Sequence, residues 1–140
     1  MYLPDINIWL ALVFQIHGHH TRVLSWFEKA GDRSCVMCSM TKQGLLRLST
    51  NPAIFKDEAV TMAGAWDIYG RLIDDPRIFY LHEPDDVDVL WKKYTVRLDY
   101  SHKVWNDAYL AAFAKGYDFS IVTLDKGYKK FTGLDCVLLS

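Results

Sequence analysis

The chain has 140 residues, 51% of them hydrophobic and 24% charged, with a formal net charge of -1. This composition excludes a disordered chain and suits a single domain over 1–140, and the small net charge excludes a global field that draws nucleic acid, leaving only local patches. No apolar run nears the ~20 residues that cross a bilayer. The opening Met1-Tyr2-Leu3-Pro4-Asp5 lacks the regions of a signal peptide, and three cysteines without scaffold spacing fit a reducing cytoplasm.

Residues 1–4 read as a short buried strand leading into Asp5. Residues 7–15 are too long and too apolar for an average strand and read as a buried helix, broken by His17-Gly18-His19-His20. Over 20–30, Val23, Leu24, Trp26 and Phe27 recur at helical spacing until Gly31-Asp32 stops them. Cys35 to Cys38 read as a second strand. Ser39 reads as the cap of a helix to about Ser49, ended by Thr50-Asn51-Pro52. Asp57 to Ile73 reads as one long amphipathic helix, closed by Asp74-Asp75-Pro76. A strand at Ile78–Leu81, a helix from Asp86 to about Leu98 and an Ala-rich helix from Trp105 to Ala114, followed by Gly116, come next. Strands at Ser120–Thr123 and Cys136–Leu139 complete the chain. Strands alternating with helices predict an α/β fold, a mostly parallel sheet of about five strands between two helical layers.

In such sheets ligands sit beyond the carboxyl ends of the strands, where the strand order reverses. Asp5 directly follows the first strand, Asp125 lies two residues after Thr123, and Asp107 opens the Ala-rich helix before that strand. Converging carboxylates repel one another unless a cation neutralises them. Oxygen-only ligands favour Mg²⁺ or Mn²⁺ over zinc, and a carboxylate-held Mg²⁺ suits phosphoryl chemistry. Each acid also has a plain local reading: Asp5 as a cap, Asp107 as a dipole-favoured helix-start residue, Asp125 in a turn.

Leu3-Pro4-Asp5-Ile6-Asn7-Ile8-Trp9-Leu10-Ala11-Leu12 resembles the opening of PIN-domain toxins of the VapC type. Thr41-Lys42-Gln43-Gly44-Leu45-Leu46-Arg47-Leu48 with Thr50-Asn51-Pro52 resembles their third helix, and Asp107-Ala108-Tyr109-Leu110-Ala111-Ala112 and Thr123-Leu124-Asp125-Lys126-Gly127-Tyr128 resemble two later motifs. The resemblance implies an α/β/α fold and a ribonuclease that cuts RNA through metal-activated water, leaving 3′-hydroxyl and 5′-phosphate ends. It implies metal-site roles for Asp5, Asp107 and Asp125, and supporting roles for Asn7, Thr123 and Thr41. It also implies a homodimer and a cognate antitoxin lying in the active groove. The helices over 57–73 and 86–98 are expected to form one or the other surface.

The family often carries an acid after the Thr of the third-helix motif, where this chain has Lys42. A cation there is expected to weaken binding of a second metal, and two tasks are open to it: holding a substrate phosphate, or pairing with Asp107 in place of metal. A PIN-like protein that binds RNA or protein without cutting is therefore the second expectation. Under it, Lys42→Glu would raise Mg²⁺ affinity. Arg47, Lys126 and Lys129, with Lys103 and Lys130, are candidate contacts for RNA phosphates, weighed against a merely solvated surface. Cys35-x-x-Cys38 is expected to be plain burial, since a strand turns such side chains to opposite faces. His17, His19 and His20 are expected to be a solvated helix entry. A phosphatase with Asp5 as nucleophile is disfavoured by Asn7, and a nucleotide fold by the lack of a Gly-rich phosphate loop.

Overall fold

Five short strands lie side by side in the computed structural model, which describes residues 1–140. They are β1 (Tyr2–Pro4), β2 (Cys35–Met37), β3 (Ile78–Tyr80), β4 (Ser120–Thr123) and β5 (Cys136–Leu138), all parallel in the order β3-β2-β1-β4-β5. The helices between them are α1 (Ile6–Val13), α2 (His20–Glu28), α3 (Ser39–Ser49), α4 (Pro52–Phe55), α5 (Met62–Asp74), α6 (Val87–Thr95) and α7 (Trp105–Tyr117).

Alternation along the strands builds the layers. Leu3, Val36 and Ile121 pack into a cluster with Val87 and Tyr94 of α6 and Leu110 and Phe113 of α7. Cys35, Met37 and Ile78 point the other way, against Trp9, Leu10 and Leu45 of α1 and α3, and Val122 joins Ile8 and Ala11. Both faces of the sheet are thus apolar and covered, as parallel sheets require. The predicted α/β/α architecture is the observed one.

Besides shorter ends on α1, which stops at Val13, and α6, which stops at Thr95, three boundaries differ from the sequence expectation for a visible reason. The helix expected over 57–73 starts at Met62, capped by Thr61, whose Oγ1 accepts from the Gly64 N–H at 3.0 Å. Before it, Asn51 caps the short Pro52–Phe55 helix, Lys56 takes φ 51°, and Asp57 sits in a 3₁₀ turn over Lys56–Glu58. A positive φ at Lys56 cannot continue a helix, so one amphipathic pattern holds two elements. Secondly, Cys38 rather than Ser39 is the N-cap of α3. Its N–H donates to Thr41 Oγ1 at 3.1 Å, which places Lys42 one position further in than expected. Thirdly, α7 runs past Gly116 to Tyr117, and Asp118 at φ 59° takes the left-handed closing position.

Helix α7 is the element that brings a remote acid to the sheet. Ala108, Ala111, Ala112 and Ala114 are fully buried, which lets the helix axis approach β1, β4 and α6 closely. Gly116 serves the same closeness: a Cβ there would lie 2.5 Å from Pro84 Cγ and 3.0 Å from Asp86 Oδ1. Gly116→Ala should therefore lower the urea midpoint by a stability loss of about 1–3 kcal/mol from overpacking. That outweighs the ~1 kcal/mol alanine gains in helix propensity. A midpoint at or above the parent's would show that the 84–86 segment yields freely.

Candidate active site

The strand order runs outward in opposite directions from the β1–β4 pair, so the crevice lies at the carboxyl ends of these two strands. Asp5 leaves β1 into it. Its main-chain N–H donates to Val122 O at 2.9 Å, which holds the residue against β4. Its Oδ1 accepts from the Ile8 N–H at 3.1 Å, capping α1, and its Oδ2 accepts from the Thr123 hydroxyl at 2.5 Å. The local cap reading is thus correct and incomplete, since the same carboxylate is fixed across 118 residues of chain.

Burial pushes the Asp5 carboxyl up to about 6; the bonds from Thr123 and Ile8 pull it back, and the Asp107 charge adds to the rise. Thr123 is fully buried and works in two directions. Its hydroxyl donates to Asp5 and accepts from the Asp125 N–H at 2.9 Å, tying two acids through one oxygen. Asp125 is exposed, and its Oδ1 accepts from the Gly127 N–H at 2.8 Å, opening the Lys126–Lys130 3₁₀ turn. Asp107 stands in the first turn of α7, where its Oδ1 accepts from the Tyr128 hydroxyl at 3.1 Å. Burial raises the Asp107 carboxyl, Tyr128 opposes this, the Asp125 charge raises it further, and Lys130 lowers it.

The Tyr128 side chain, buried on that turn, ties the three acids together. Its ionisation is suppressed first by burial and then by the charges of Asp5, Asp107 and Asp125, so one hydroxyl feels all three. The three predicted acids therefore share one crevice. As they stand they are not closed around a point, since no three Asp, Glu, His or Cys side chains are grouped tightly enough to grip an ion between them. The donor set suits Mg²⁺ or Mn²⁺ in kind: every oxygen is hard, and Asp107 Oδ2 and Asp125 Oδ2 carry no hydrogen bond.

Other expected residues fare differently. Asn7 is exposed and touches Asp5 only through its main-chain N–H, so its side chain is not the supporting group expected. Thr41 is buried but braces the start of α3 through Cys38 rather than any acid. Lys42 does not pair with Asp107. Its Nζ lies 5.1 Å from the Tyr80 ring centre and 5.6 Å from that of Tyr69, a cation held on aromatic faces of β3 and α5. Arg47 is exposed and lines a cavity with Ile6 and Asn106, the neighbours of two of the acids. Lys126 and Lys129 are exposed on the turn after Asp125, but Lys130 is the lysine whose charge reaches Asp107.

Two residues were missed. Tyr128 lies in the stretch Thr123–Tyr128 that resembles a family motif, but the resemblance implies no role for it. Glu83 follows β3, and its Oε2 accepts from the Tyr109 hydroxyl; a carboxylate just beyond a strand was the signal used for Asp5 and would have found it. Cys35 of β2 and Cys38 just beyond it are free, buried and packed into opposite layers, as expected. The histidines serve the turn before α2: His17 Nδ1 accepts from the His19 N–H at 3.1 Å, and His20 Nδ1 donates to Ala11 O at 2.7 Å.

Asp5 has a sign-defined cost. A carboxyl raised from 3.8 to about 6 binds its proton more tightly in the folded state, so its contribution is full below pH 3.8 and lost as pH rises through 6. The loss is at most about 3 kcal/mol. Asp5→Asn should therefore unfold at higher urea than the parent at pH 8, by about 1–2 kcal/mol, with the advantage gone by pH 4. An equal or lower midpoint at pH 8 would contradict the burial cost assigned to this carboxylate. Thr123→Val strips a buried carboxylate and a part-buried N–H of their partner and should cost about 1–3 kcal/mol, while Thr123→Ser keeps most of it. Equal urea midpoints for the Val and Ser variants would sink that assignment.

Residues 2–134 match the PIN domain. The chain is 37% identical to Ribonuclease VapC41 of Mycobacterium tuberculosis, covering 100% of this chain and 99% of that protein. It is 30% identical to Ribonuclease VapC38 of the same organism, over 91% of this chain and 86% of that one. In fold it is similar to VapBC-1 from nontypeable Haemophilus influenzae, with TM-score 0.72 at 14% identity, covering 99% and 97% of the two chains. It is also similar to the VapC20 sarcin-ricin loop cleaving toxin of M. tuberculosis, with TM-score 0.69 at 12% identity over 92% and 93%. The acids converging from β1, α7 and β4 thus stand in a chain that belongs to the PIN-domain family, among its VapC-type members.

Proposed function

We propose that this protein is a metal-dependent endoribonuclease toxin of the cytoplasm, silenced by a cognate antitoxin. The observation that carries the reading is the shared crevice: Thr123 ties Asp5 to Asp125, and Tyr128 ties Asp107 to the same turn. The full-length likeness to proteins named ribonucleases supports the substrate class. Asp5, Asp107 and Asp125 would hold Mg²⁺ or Mn²⁺, which when bound neutralises the acids and lowers the pKa of water at the site. Thr123 and Tyr128 orient the carboxylates, much as outer partners do in other metal sites. Lys130, beside Asp107, and Lys126 and Lys129 on the same exposed turn would meet RNA phosphates.

The partner surfaces rest on exposed apolar side chains. Met62 and Trp66 of α5 are 74% and 57% exposed, and Val89 of α6 and Val96 just beyond it are 70% and 66% exposed. Faces of this kind suit an antitoxin segment and a second copy of the chain. Structural neighbours described as VapBC complexes support a partner of the first kind. No helix is long and apolar enough to cross a membrane. The rival reading, a fold that binds without cutting, drew on Lys42, whose ammonium rests on tyrosine rings and not among the acids.

Mg²⁺ or Mn²⁺ should raise the melting temperature of the parent protein. Asp107→Asn and Asp125→Asn should each remove that rise and lower cleavage of single-stranded RNA by at least ~10²-fold, as EDTA should for the parent. Cleavage that persists in EDTA or in Asp5→Asn would overturn the metal assignment. No cleavage by the parent, with RNA still bound, would favour the binding reading. Lys42→Glu should leave the Mg²⁺ midpoint unchanged and cost roughly 0.5–1 kcal/mol of stability through the lost aromatic contacts. A tighter midpoint would place Lys42 back in the site.

A further inference from the structure

Beside the acid crevice lies a cavity of about 360 Å³ at the carboxyl ends of β1, β2 and β3. Its walls are polar: Ser39, Gln43 and Arg47 from α3, Glu83 from the loop after β3, and Asn106 and Tyr109 from α7. Ile6 closes its floor and fills the space a Cβ on Gly44 would take, with Ile6 Cδ1 only 2.3 Å from that position. Two of the lining residues, Ile6 and Asn106, are direct neighbours of Asp5 and Asp107, so whatever enters this cavity sits next to the acids.

The cavity holds a cation and an anion that do not meet. Arg47 and Glu83 both line it, yet the ion pairs of the chain are Arg71–Asp67 and Arg77–Asp75. The Arg47 guanidinium has no hydrogen-bonded partner within the chain; its carbonyl is engaged by the Thr50 hydroxyl at 3.0 Å. Glu83 is steadied by the Tyr109 hydroxyl at Oε2, which leaves Oε1 open. Opposite charges facing one cavity without closing it leave room for a planar group that satisfies both.

We propose that this cavity is a base-reading subsite for a guanine of the RNA, resting on the ribonuclease reading above. Guanidinium donors match paired acceptors, and guanine offers O6 and N7 side by side. A carboxylate matches paired donors, and guanine offers N1–H and the 2-amino group on its Watson–Crick edge. Cytosine lacks the donor pair, and adenine and uracil lack both. Unpaired bases of RNA are read in this way, on exposed edges and against aromatic rings, and Tyr109 supplies a ring in the same wall. Glu83 and Arg47 are thus specificity residues, and the base they hold would lie beside the cut bond.

Calorimetric titration of the intact protein with 5′-GMP, 5′-IMP, 5′-AMP, 5′-CMP and 5′-UMP at millimolar concentrations tests this directly. GMP should bind roughly tenfold or more tighter than AMP, CMP and UMP, and IMP, which lacks the 2-amino group, should be weaker than GMP. Glu83→Gln and Arg47→Met should each remove the GMP advantage. Cut sites mapped on a random single-stranded RNA pool should have guanine at one neighbouring position in the parent and lose it in Glu83→Gln. Equal binding of the nucleotides, no binding of any, or a guanine preference that survives Glu83→Gln would overturn the subsite. If RNA stays uncut while GMP is selected, the ribonuclease reading fails and the subsite stands. If RNA is cut without base preference and the nucleotides bind alike, the subsite fails and the ribonuclease reading stands.

Discussion

A single hydroxyl, that of Thr123, holds the candidate site together. It donates to one acid and accepts from the main chain of another, and it is itself wholly enclosed. For it to sit there, β1 and β4 must be neighbours in register, Leu3 beside Ile121 and Pro4 beside Val122. Sheet pairing therefore does the positioning, and the turn after β4 does the rest by carrying Asp125 and Tyr128. Asp5 bears the electrostatic cost of this arrangement. Its carboxylate is buried for the sake of place, and the bonds from Thr123 and Ile8 only partly offset the desolvation. Sites commonly hold such tension, because a group poised for chemistry is not placed where folding alone would put it.

Helix α7 shows how a run of small residues becomes functional geometry. Alanines along its buried side reduce its distance to the sheet and to α6, and Gly116 allows the 84–86 segment to close over its far end. That closeness sets Asp107 within electrical reach of Asp5 and Asp125 and within hydrogen-bond reach of Tyr128. A bulkier helix would keep the same sequence of elements and lose the convergence.

Most of the fold was legible because its signals are local and repeated. Every strand was found, since short apolar runs between helical patterns have few other readings. The acids after β1 and β4 were legible by position alone. What escaped depended on backbone detail or on partners distant in the chain. The helix expected from Asp57 begins later because Lys56 adopts a conformation its side chain does not announce. Lys42 was placed with the acids by motif spacing, whereas aromatic rings of β3 and α5 claim it, and no single stretch of sequence states that pairing. Tyr128 was invisible as a brace for the same reason, its partner lying 21 residues away on another element. Glu83 was the avoidable miss.

The bond between Thr123 and Asp5 spans 118 residues. During synthesis the Asp5 carboxylate cannot be seated until the segment through Tyr128 has been made and β4 has slotted beside β1. Contacts so distant in sequence form late, after their loop-closure entropy has been met by nearer ones. Any fragment that stops before β4 would thus lack the acid crevice altogether, because it holds Asp5 without the hydroxyl that fixes it.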